Sequence, residues 1–73
     1  MNIFSIKHDK GGYDCYHGHI IVANNEGEVR NLAKQEAADE GIDVWDIATV
    51  EIEGNYIGNK TEPFILLSNY LGD

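Results

Sequence analysis

Basic residues are scarce in this chain, with five Lys and Arg against 13 Asp and Glu, a formal charge of −8 and a pI near 4.5. That shortage argues against direct binding of nucleic acid, whose phosphates need Lys and Arg, and against an anionic membrane surface. A basic protein surface is the natural complement. Cys15 is the single cysteine, which excludes an intramolecular disulfide and any cysteine framework. No apolar run approaches the roughly 18 residues of a membrane span, and Met1 to Lys7 is too short and mixed for a signal peptide. Neither secretion nor membrane insertion is therefore expected, and the expected location is cytoplasmic. Proline occurs once, and low-complexity tracts and repeats are missing, which leaves an ordinary globular composition.

At 73 residues the chain is one acidic domain, 1–73, with no room for a second core. A chain of this size buries only about 60% of its unfolded surface, so an enclosed substrate pocket would compete with the core for the same few apolar side chains. No catalytic motif is present either, and an enzyme is not expected.

What is there centres on residues 25–53. Asn25 followed by Glu28 fits a capping box. Val29, Leu32, Ala33 and Ala37 then form one apolar stripe at helical spacing. Gly41 suits the left-handed position after the last turn, with Ile42 closing back onto Ala37. A helix from about Glu26 to Glu40 follows, with Glu26 placed to pair with Arg30 at i+4. From Glu36 to Glu53 the chain carries Glu36, Asp39, Glu40, Asp43, Asp46, Glu51 and Glu53 without one Lys or Arg. Glu36, Asp39 and Glu40 crowd the negative end of the helix, where each costs roughly 0.3–1 kcal/mol before salt screening. These seven acids are either a solvated face or a surface placed for a basic partner, and they are the candidate partner-binding residues.

Asn2 to His8 reads as a strand, with Phe4 and Ile6 on one face. Asp9-Lys10-Gly11-Gly12 is a turn signal, and Tyr16 to Ala23 is the returning strand of a hairpin. In that strand Ile20 and Val22 are expected to face the helix. Gly41 to Asp46 is a connection in which Val44 or Trp45 covers an end of the core. Ala48, Val50 and Ile52 alternate with Thr49, Glu51 and Glu53 in a half-buried strand whose polar face is acidic. Gly58 to Pro63 is a loop, and Phe64 to Tyr70 is a last strand apolar on both faces. The expected fold is α+β, ββαββ, a four-stranded antiparallel sheet ordered 2-1-3-4 in chain numbering, with one helix packed on one face.

Cys15, His17 and His19 lie at period two on one strand, with His8 and Asp14 near across the hairpin, and soft and imidazole ligands so placed could hold zinc. The spacing is not that of a structural zinc site, and polar residues on a solvent-facing strand are the simpler explanation, so no metal or cofactor is expected. Cys15 beside a His also has the elements of a thiolate nucleophile, yet no oxyanion hole or orienting third group is recognisable. Trp45 between Asp43 and Asp46 is either an interface anchor or a core plug. Tyr13 is the better aromatic contact candidate, and Tyr16 suits the core rim. Glu51 and Glu53 are about 6.6 Å apart along a strand, and with the helix-end acids they could imitate the spaced phosphates of a nucleic-acid backbone.

The order of the opening strand, Gly11-Gly12, Tyr13-Asp14-Cys15-Tyr16, Ile20-Ile21-Val22-Ala23, Val29-Arg30-Asn31-Leu32-Ala33, Trp45 before an acidic strand, and Phe64-Ile65-Leu66-Leu67-Ser68-Asn69 resembles a family of small acidic phage and mobile-element proteins with a Tyr-Asp-x-Tyr hairpin motif. The resemblance covers nearly the whole chain; Ser68-Asn69-Tyr70-Leu71-Gly72 departs from that family's Ser-Phe-Asn-Ala-Gly-like close. Small acidic phage proteins include anti-CRISPR proteins, several of which act as DNA mimics. The resemblance thus implies a non-enzymatic inhibitor in the cytoplasm of an infected bacterial host, blocking a basic nucleic-acid-binding effector complex such as CRISPR-Cas, with no direct nucleic-acid or membrane binding. The alternative expectation is a phage accessory or assembly module that acts as a homodimer through its apolar C-terminal strand.

Overall fold

A computed structural model of the chain describes residues 1–8, 15–37 and 44–71. Six elements follow in order: β1 (Asn2–Lys7), β2 (Cys15–Ala23), α1 (Glu26–Ala37), α2 (Val44–Ile47), β3 (Thr49–Asn55) and β4 (Phe64–Leu71). The strands form one antiparallel sheet in the order β3-β1-β2-β4, and α1 packs on one face of it. The α+β architecture with β1 between β2 and β3 is thus the expected one. The last strand lies beside β2, where the expected order set it beside β3. Residues 56–63 are long enough to cross the roughly 14 Å from β3 to the far side of β2 at up to about 3.3–3.6 Å per residue, and nine-residue β2 offers the longer edge.

Phe4 and Ile6 decide which face becomes the core. Both are buried, and their partners on β2 are Ile21 and His19. Residues directly opposite across antiparallel strands share a face, so His19, Ile21 and Ala23 look toward α1. Ile20 and Val22 look away from it, the reverse of the expectation. The expectation failed because β2 carries apolar residues on both faces, so alternation within it cannot choose between them. Val22 is nonetheless fully buried, between Ile3 and Phe64 in the register.

From α1 the core takes Val29 and Ala33, with Leu32 at its margin. The start of α1 is held as the capping box requires: the Glu28 amide donates to Asn25 Oδ1 at 2.9 Å. The Glu28 carboxylate accepts from the Asn24 amide at 2.7 Å, one residue before the cap. Ala38 to Ile42, with the expected helix end, and the turn at Asp9 to Gly12 lie outside the described residues.

The connection after α1 contains a one-turn helix the sequence reading did not anticipate. In it Trp45 is 1% exposed and joins Ala48, Phe4 and Ile6 in the core, so it is a core plug and not a surface anchor. On β3 only Val50 packs against the core; Ile52 is 64% exposed, because this edge strand extends beyond the cover of the helix. Among the described residues the largest fully buried side chains are Trp45, Ile6, Ile21, Val22 and Val29. At about 1.5–3 kcal/mol each, losing any two would consume much of the roughly 4–11 kcal/mol expected for a 73-residue chain.

Candidate protein-interaction surface

No described helix covers the face of the sheet turned away from α1. Ser5 and Lys7 on β1, Gly18 and Ile20 on β2, Glu51 and Glu53 on β3 and Leu67 on β4 lie there by strand alternation and register. Across it runs an open depression of about 520 Å³ whose lining includes Ser5, Lys7, Gly18, Ile20, Glu53 and Leu67. Gly18 keeps the floor low. A Cβ there would stand 3.0 Å from the Ile6 carbonyl oxygen and 3.3 Å from the Lys7 Cβ.

The β3 margin of this face is acidic. Glu51 faces Ser5 in the register, while the register shift beside Ile3 and Phe4 skips Glu53. Such a bulge re-aims a side chain, and Glu53 accepts a 2.7 Å hydrogen bond from the Ser5 hydroxyl. Both carboxylates are exposed. On the opposite margin Leu67 is 65% exposed.

The seven expected acids do not all converge here. Glu36 and Asp46 belong to the helical layer on the other side of the sheet. Asp46 forms an ion pair with Lys34, which offsets its charge. Asp39, Glu40 and Asp43 lie outside the described residues.

Behind the sheet, imidazoles surround Trp45. The His8 ring stands edge-on to it at 4.7 Å and stacks on His17 at 5.6 Å, and the His19 ring lies 5.0 Å from the indole. His19 is 3% exposed, and its Nδ1 is 2.8 Å from the Ser68 hydroxyl. Burial lowers its pKa below the ordinary 6.5; the Glu36 carboxylate opposes that shift, and His8 adds to it. His17 and His19 are therefore on the core side of β2, not on a solvent-facing strand. Among the described residues no three His, Cys, Asp or Glu side chains come together as metal ligands. Asp14, Tyr13 and the Cys15 and Tyr16 side chains lie outside the described parts.

Two contributors escaped the sequence reading. Arg30 pairs with Glu26 as expected, at 2.8 Å, and its Nη1 also donates to the carbonyls of Trp45, Asp46 and Ala48 at 2.7, 3.1 and 3.1 Å. One guanidinium thus closes the C-terminal end of α2 and fixes the approach to β3. Ser5, the positioning partner of Glu53, gave no signal beyond its place on the polar face of β1.

No family model matches the chain, and neither does any curated protein or any solved structure. Among the described residues no helix is long and apolar enough to cross a membrane.

Proposed function

We propose that this protein is a non-enzymatic binding module whose acidic β3 margin occupies a Lys/Arg-lined protein surface that otherwise holds nucleic acid. The observation that carries this reading is the exposed pair Glu51 and Glu53, held on an uncovered sheet face beside an open depression. Two carboxylates at strand spacing present charge to a partner without a helix in the way. The −8 charge of the chain steers a basic partner toward it. The resemblance to small acidic phage proteins favours an inhibitor of the anti-CRISPR kind, acting in the cytoplasm of an infected bacterium by occupancy alone.

The test is capture from bacterial lysate at low and high salt, using the native chain, Glu51→Lys with Glu53→Lys, and Asp39→Lys with Glu40→Lys and Asp43→Lys. Each variant is first checked for fold by circular dichroism. A nucleic-acid-handling complex recovered by the native chain, lost at high salt and lost in the Glu51/Glu53 variant, supports the reading. Equal recovery of the same partner by all three proteins, at both salt concentrations, overturns it.

A further inference from the structure

The two edges of the sheet differ in chemistry. β3 presents Glu51 and Glu53, whose charges discourage another strand from adding to it. β4, residues FILLSNYL, has no charged side chain over eight positions, although the chain as a whole carries −8. Among the described residues β4 has one neighbouring strand, β2, and its other edge is open. Leu66 is 57% and Leu67 65% exposed. Leu66 is skipped in the register between Ile20↔Leu67 and Ile21↔Ile65, so the regular run available to a new strand is residues 67–71.

We infer that β4 is a self-association edge, on which a second copy of this chain pairs antiparallel about a two-fold axis through residues 67–71. A copy of the same chain fits this edge better than a basic partner does. The edge offers no carboxylate to a cation, and two molecules of charge −8 can meet here without placing acids opposite one another. Pairing satisfies the open backbone groups of both strands and covers Leu66 and Leu67. The inference is independent of the acidic margin on β3, which the pairing leaves exposed.

Sedimentation equilibrium of the 8.1 kDa chain at concentrations up to about 1 mM tests it, with Leu66→Glu/Leu67→Glu and Glu51→Lys/Glu53→Lys as variants. A dimer is expected that tightens when salt rises from about 0.05 to 0.5 M, because like charges on the two copies are screened. The leucine variant should weaken it roughly tenfold or more, by removing the apolar surface that pairing covers and adding two carboxylates to each −8 copy at the edge, and the β3 variant should not weaken it. Amide hydrogen exchange of the native chain gives a second readout, with residues 68–71 expected to gain protection as concentration rises. A monomer at every concentration, or a dimer that the leucine variant leaves as tight while β4 amides show no concentration dependence, overturns the inference.

Discussion

Arg30 and Trp45, fifteen positions apart, are joined by a 2.7 Å hydrogen bond from the guanidinium to the Trp45 carbonyl. This bond ties the flank of α1 to the turn that carries the largest core side chain. Because Nη1 also serves the Asp46 and Ala48 carbonyls, replacing Arg30 takes the donor from two part-buried acceptors, the Trp45 and Ala48 carbonyls. Arg30→Met should cost about 2–3 kcal/mol in urea unfolding. Arg30→Lys should recover only part of that, since a single ammonium cannot reproduce the planar fork.

Helix initiation gives a smaller and cleaner effect. Asn25→Ala removes the acceptor for the Glu28 amide and should cost about 1 kcal/mol, a fall in Tm of about 4–8 °C for a domain of this size. Asn25→Gly should cost only a few tenths of a kcal/mol. Equal losses for the two would mean that the cap contributes little.

Acid should weaken the fold through His19. Its folded pKa is depressed chiefly by burial, so the unfolded chain takes up the proton more readily. The corresponding stability is fully present above about pH 6.5 and is lost as pH falls from there toward the folded value. The urea midpoint should therefore drop between about pH 7.5 and 5.5, and the drop should be smaller in His19→Gln. The same pH slope in both proteins would assign the drop to other groups.

Asp46 and Glu51 should separate in partner binding. Asp46 is engaged with Lys34 on the helical layer, so Asp46→Asn should leave capture of a basic partner within about twofold of native and change stability by about 0.5 kcal/mol or less. Glu51→Gln, at the open margin, should reduce capture more than Asp46→Asn does, as measured by titration at low salt.

How much of this was legible in the sequence depended on how local the signal was. Asn25 and Glu28 are three positions apart and mark the helix start by their own hydrogen bonds, so the cap could be read directly. The orientation of β2 could not, because Ile20, Ile21, Val22 and Ala23 put apolar groups on both faces, and the deciding partners, Phe4 and Ile6, are on another strand. His19 misled for a related reason: imidazole is ordinarily a surface group, and the indole of Trp45 and the Ser68 hydroxyl, both distant in sequence, help to make a buried place for it. The placement of β4 depended on a choice between two free edges, which periodicity within Phe64–Leu71 does not record. The acids were legible as a charge run, but spacing along a chain does not say which layer each will join, and Glu36 and Asp46 joined the layer opposite Glu51 and Glu53.

The unlike edges of the sheet also set a limit on growth. A sheet with two uncharged edges can add copies at either end and lengthen into a fibre. With the pairing inferred above, one strand addition would use the permissive edge of each molecule, and the product would end in Glu51 and Glu53 on both sides. In that arrangement the β3 acids would act as terminators, keeping a chain with exposed leucines on its last strand in a closed, finite species.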